Sequence, residues 1–226
     1  MARQNSLPDR RTVIFGKTIS HLVARTPRLW PVVHRPVMRF FDAAAGNWDS
    51  NTGAGSPEHL AALAAAVLDV DPVPERVLDI GCGTGAATLF LAREYPRARI
   101  RGIDLSPKMI GEANSKIGLD PEARVAFREG DASSLPYPDE NFDLVCQVNM
   151  PVFFAEIDRV LRPGGQVVIA SSLGQDTPFS TPDDLVASRF ARLGIRETAR
   201  RSTPGPDPDR PGPGTYFTGR KDVPQA

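Results

Sequence analysis

The chain has 226 residues, 41% hydrophobic and 24% charged, with 27 basic residues balanced by 27 acidic ones. This length supports one domain with a substantial core, about 70% of the unfolded surface being buried at this size. The composition excludes a disordered or collagenous polypeptide, and two cysteines, Cys82 and Cys146, are too few for a disulfide framework. A reduced, cytoplasmic setting is the simpler expectation. No apolar run reaches the roughly 18 residues of a spanning helix. The basic first 30 residues lack the continuous apolar core and small-residue cleavage site of a secretory leader.

Zero net charge hides an asymmetry. Residues 1–41 carry eight basic side chains (Arg3, Arg10, Arg11, Lys17, Arg25, Arg28, Arg35, Arg39) against one acid, Asp9, leaving 19 basic and 26 acidic residues beyond. Such an arm suits an anionic lipid surface, nucleic acid or an acidic partner. The plainer alternative is a solvated extension packed through Leu22, Val23, Leu29, Trp30, Val32 and Val33. No nucleic-acid partner is expected, and peripheral membrane contact stays open.

Residues 1–11 are polar and expected to be disordered. Thr12 to Val23 reads as a short amphipathic helix. Pro27, Pro31 and Pro36 then break the pattern, and a helix returns over Val37 to Ala45. The stretch FFDAAAGNWD, ending on Asn47-Trp48-Asp49, concentrates aromatics and acids. Trp48 either anchors the arm on the core or covers a pocket. Ser56-Pro57 is a cap followed by a first-turn proline and starts a helix to about Val70. His59 in its first turn reads as a surface or packing residue. The expected division is an arm and lid over 1–55 and a domain over 56–226.

Arg76 to Gly85, RVLDIGCGTG, organises the rest. A short apolar strand containing Asp79 runs into Gly81, Gly83 and Gly85, and an apolar helix follows. Strand, glycine turn and helix bring a ligand against bare backbone at the carboxyl end of a strand. The third glycine comes one residue too early for the dinucleotide fingerprint. The stretch resembles motif I of the class I S-adenosylmethionine (SAM)-dependent methyltransferases, including the ubiquinone- and menaquinone-type C-methyltransferases. That resemblance implies an α/β, Rossmann-like doubly wound sheet of seven strands, mostly parallel with a C-terminal antiparallel hairpin. It implies SAM as the cofactor and a glycine loop that accommodates its aminoacid part.

Later segments resemble the same family in order. Arg99–Ile103 reads as a second strand ending in Asp104, 19 residues past Gly85, where a βαβ nucleoside site puts an acid on the ribose hydroxyls. GIDLSPKMI resembles motif II, which implies that Leu105 and Met109 flank the adenine. A third strand, Val125–Glu129, leads to Gly130-Asp131-Ala132, and the resemblance implies that Asp131 accepts the adenine amino group, an exchange a carboxylate suits. LPYPDENFD resembles the family's lead into a fourth strand, Phe142–Val148. RVLRPGG resembles the segment that ends the next helix at Pro163-Gly164-Gly165 and opens a fifth strand, Gln166–Ala170. FFDAAAGNWD resembles a lid segment of small-molecule methyltransferases. A last helix is expected over Asp183–Leu193, and strands over Ile195–Arg201 and Thr215–Arg220. The proline-rich 204–214 between them reads as a loop.

The cofactor-binding set implied by the resemblance is Asp79, Gly81, Cys82, Gly83, Gly85, Asp104, Leu105, Met109, Asp131, Ala132 and Asn149. The sequence departs from the family after the fourth strand, where Asn149-Met150-Pro151 passes almost directly into a helix. This faintly echoes the N-P-P segment of amino-methylating enzymes, and equally reads as a shortened wall. No residue stands out as a general base among His21, His34, His59, Asp42 and Asp49. Cys82 and Cys146 read as packing residues, and no cluster has metal-ligand spacing. The expected activity is methyl transfer from SAM to a small, hydrophobic acceptor. The alternatives are a SAM-binding scaffold without transferase activity and, weakly, a nicotinamide-dependent oxidoreductase.

Overall fold

The computed structural model describes residues 10–120, 122–207 and 210–224. The expectation of disorder at the N-terminus therefore lies outside the described residues for 1–9. Arg10 and Arg11 are already helical.

Seven strands form one sheet in the order β3-β2-β1-β4-β5-β7-β6. They are β1 (Arg76–Ile80), β2 (Arg99–Asp104), β3 (Val125–Glu129), β4 (Phe142–Val148), β5 (Leu161–Ser171), β6 (Ile195–Asp207) and β7 (Arg210–Lys221). The first five pair in parallel, and β7 runs antiparallel between β5 and β6. The strand order reverses between β1 and β4, so a crevice opens at their carboxyl ends.

Period-two alternation divides the core across the two sheet faces. Val77, Leu144, Cys146, Val168 and Tyr216 pack on one side, with Leu63 of α4 (Pro57–Val67), Leu91 of α5 (Ala86–Glu94) and Ala113 of α6 (Pro107–Ser115). Leu78, Val145, Val167 and Phe217 pack on the other, with Ile157 of α7 (Phe154–Val160) and Phe190 of α8 (Asp183–Ala191). Each fully buried valine, leucine, isoleucine or phenylalanine among them contributes roughly 1.5–3 kcal/mol.

The arm forms α1 (Arg10–Arg25), α2 (Trp30–Ala44) and α3 (Trp48–Thr52). The helix expected from Val37 instead begins at Trp30. Pro31 sits in its first turn, where the missing N–H costs nothing. Pro36 lies inside the helix and is exposed, so the carbonyl it leaves unpaired can turn to water. Ile19, Val23, Trp30 and Val37 pack with Phe153 and Phe179 in a third cluster that seats the arm on the domain.

Two boundaries differ from the sequence reading. The helix before β5 stops at Val160, ahead of Pro163-Gly164-Gly165, and pairing slips from Phe142–Leu161 to Leu144–Gln166. Gly164, at φ +76°, therefore serves a bulge in the strand and not a helix cap. The final hairpin is also longer, with Pro204 opposite Pro211 and Asp207 opposite Arg210. β6 is an edge strand, where a proline breaks no ladder on its open side. Pro208 and Asp209 lie outside the described residues.

Candidate active site

β1 delivers the chain to the crevice and the glycines turn it. Gly81, Gly83 and Gly85 have φ of +70°, +52° and +85°, a region that only glycine enters freely. Gly81 and Cys82 both donate to the carbonyl of Ile103, which locks the loop to the end of β2. A side-chain carbon on Gly83 would meet nothing within 4 Å, so the loop offers bare backbone to open space there.

Asp104 ends β2 facing this loop. Its Oδ2 accepts from the Gly83 N–H at 2.9 Å and its Oδ1 from the Ser106 N–H at 2.9 Å. Burial pushes its carboxyl pKa up, opposed by the backbone N–H groups of Ser106, Gly83 and Leu105. A desolvated carboxylate with these fixed partners gains from further donors, such as a vicinal diol.

A cavity of about 130 Å³ lies between this rim and the arm. Of the expected site residues, Gly81, Cys82, Asp104, Leu105, Ala132 and Asn149 line it. Gly83 and Gly85 shape the loop. Asp79 and Met109 are only 1% exposed, beneath the floor. Asp131 points elsewhere: its carboxylate accepts from the Trp30 indole Nε1 at 2.8 Å and from the Ser133 N–H at 2.7 Å. Asn149, at φ +56°, has both ends of its amide tied to Ser172. That amide is thus already paired, unlike one poised to orient an amine.

Several lining residues were not among the expected site residues. Trp30 and Val37 belong to the arm, and Phe179 lies in the stretch before α8. Nothing local marks Phe179. Met150 sits against Gly81 so closely that a methyl group there would collide with its sulfur. His59, expected on the surface or in packing, lines the cavity, and burial pushes its pKa down, opposed by a hydrogen bond to the Thr52 backbone and the Asp49 charge.

Two acids, Asp42 and Asp49, tie the arm to the rim. Asp42 accepts from the Ser106 hydroxyl at 2.5 Å. Asp49 accepts from the Thr84 hydroxyl at 2.5 Å and pairs with Lys116 at 2.5 Å. The thiols of Cys82 and Cys146 are pushed well up by burial, which leaves them unreactive. Arg159, read in sequence only as part of a helix end, donates to the carbonyls of Leu135 and Tyr137 and to Glu156 and Asp139. It thereby pins the segment that leads into β4.

Residues 77–165 match a family described as a methyltransferase domain. The [4+2]-cyclase SpnF superposes with a TM-score of 0.62 at 22% identity, over 83% of this chain and 96% of that one. This is the class I SAM-dependent methyltransferase fold. Arsenite methyltransferase of Halobacterium salinarum is 35% identical over 151 residues, 63% of this chain and 36% of that protein. Fatty-acid O-methyltransferase of Mycolicibacterium smegmatis is 40% identical over 108 residues, 45% of this chain and 38% of that protein. The chain thus spans under half the length of these curated relatives.

The cofactor of this methyltransferase fold is SAM, and the rim fits it. The glycine loop leaves backbone bare at Gly83, and Asp104 presents a buried carboxylate beside it. The cavity is smaller than the roughly 300 Å³ at which ligand pockets begin.

Proposed function

We propose that this protein transfers a methyl group from SAM to a small, apolar acceptor. The observation that carries the reading is the Asp104 carboxylate, held by Gly83 N–H across the glycine loop at the mouth of an aromatic-walled cavity. In this reading residues 1–55 form the arm and lid, and residues 56–226 form the SAM-binding domain.

When bound, the cofactor supplies an electrophilic methyl on a sulfonium, open to displacement in line with the departing sulfur. Asp104 accepts the ribose hydroxyls. The turn from Gly81 to Gly85 admits the aminoacid part against bare backbone. Leu105 and Ala132 border the adenine, and Asp131 takes its amino group once Trp30 releases the carboxylate. Trp48, Phe41 and Phe179 wall the acceptor space and exclude water. Their apolar surface, together with a relative named for a fatty acid, supports an apolar acceptor.

His59 is the neutral base of the cavity. It takes the proton from a phenolic or enolic acceptor, and an acceptor already ionised has no need of it.

A second reading is a SAM-binding protein that does not transfer methyl groups. A cyclase shares the fold, and fold alone does not fix chemistry. The deciding experiment is incubation with methyl-labelled SAM and a cell extract. Label in an apolar small molecule is expected. Firm SAM binding with no label in any product would favour the second reading. Thermal protection by SAM but not by NAD is expected as well.

A further inference from the structure

The outer side of the arm has a chemistry of its own. From residue 10 to residue 41 there are seven basic side chains and no acid. Arg25, Arg28, Leu29, Val32, Arg35 and Arg39 are all exposed, along the turn into α2 and the outer stripe of α2. Leu29 and Val32 are 43% and 72% exposed. Among the described residues, none of these arginines pairs with a carboxylate.

Beside this stripe lies a groove of about 480 Å³ between the arm and the domain. Val152, Phe153 and Phe154 give it apolar walls, and Arg25, Arg28, Arg189 and Arg192 surround it. The one acid lining it, Glu156, is held by Arg159 at 2.8 Å, so its charge is already met. Arg189 donates to the Ala24 carbonyl at 2.8 Å and ties the two walls together. Guanidinium groups that meet no carboxylate among the described residues, set around an apolar slot, match a phosphate headgroup joined to an acyl chain.

We propose that this face docks on an anionic phospholipid bilayer, with headgroup phosphates on the four arginines and Leu29 and Val32 at the acyl boundary. Clustered arginines supply attraction to the negatively charged surface, and exposed aliphatic side chains supply insertion. The inner side of the same helix, through Trp30 and Val37, lines the cavity. Docking thus brings the lid to the surface where apolar acceptors dissolve. That consequence rests on the proposed function; the docking itself does not.

The test is sedimentation of the full chain with vesicles, without SAM or acceptor, so that it fails or succeeds apart from catalysis. The protein is expected to sediment with vesicles containing phosphatidylglycerol and not with pure phosphatidylcholine. Binding should weaken as salt rises through about 0.15 M. R28E/R192E should weaken it about tenfold or more, and so should R35E/R39E. R97E, an exposed arginine on the turn between α5 and β2, should leave it unchanged. Equal binding to both vesicles, binding to neither, or an equal loss in R97E would overturn the proposal. So would tighter retention on duplex DNA than on the anionic vesicles, or release by inorganic phosphate at constant ionic strength.

Discussion

The indole Nε1 of Trp30 lies 2.8 Å from both carboxylate oxygens of Asp131, across 101 residues of chain. The carboxylate that the adenine amino group is proposed to meet is therefore held by the arm. Trp30→Phe keeps an aromatic ring in the packing and removes the donor. A hydrogen bond to a charged group is worth about 1.5–3 kcal/mol. Freeing Asp131 should tighten SAM binding about tenfold by calorimetry. Unchanged or weaker binding would mean that Asp131 serves only to seat the arm.

Asp104 joins the loop to the nucleoside site through the Gly83 and Ser106 N–H groups. Asp104→Asn preserves its shape and removes its charge. SAM affinity should fall about 30-fold, the loss of a charge-assisted pair of hydrogen bonds. Affinity equal to that of the parent would remove the ribose assignment.

Asp79 is buried beneath the loop. Its Oδ2 accepts from the Thr88 hydroxyl at 2.5 Å, and its Oδ1 meets no partner among the described residues. Burial raises its pKa from 3.8 to about 7. Between those values the unfolded chain loses the proton while the folded chain keeps it. The stabilising contribution is therefore complete below about pH 4 and lost as pH rises through 7. Asp79→Asn cannot ionise, so its advantage over the parent in urea unfolding should grow from pH 4 to pH 8, reaching up to about 4 kcal/mol. Parallel pH profiles would assign the dependence to another group.

Asp49 latches the lid to Thr84 and Lys116. The ion pair is part-exposed, so Asp49→Ala should cost under about 1 kcal/mol of global stability. Hydrogen exchange over residues 48–55 should nonetheless rise clearly. Protection equal to the parent would show that the aromatic contacts alone hold the lid.

Burial lowers the pKa of His59, which lines the cavity. His59→Gln should reduce kcat about 100-fold with a phenolic acceptor, and change little with a carboxylate acceptor. Equal losses with both would make His59 a packing residue.

The organisation around β1 was legible because it is local. Glycines at alternate positions require a turn, an apolar run before them requires a buried strand, and Ser56 and Ser106 cap their helices where the sequence places them. β3 and β4 begin and end at the residues expected for them. The Asp104 contact with Gly83 was also within reach, since parallel pairing of β1 and β2 brings the two strand ends together.

The sequence by itself determined the glycine turn and the strand and helix on either side of it, because each depends on backbone preferences within a few residues; the order of the sheet was implied by the family resemblance. Only the tertiary structure decided that α2 runs through Pro36 with Trp30 on Asp131, and that His59, Met150 and Phe179 share one cavity. Those contacts join segments far apart in the chain. Packing, which has no short-range signature, chose them over the local tendency of prolines to end a helix.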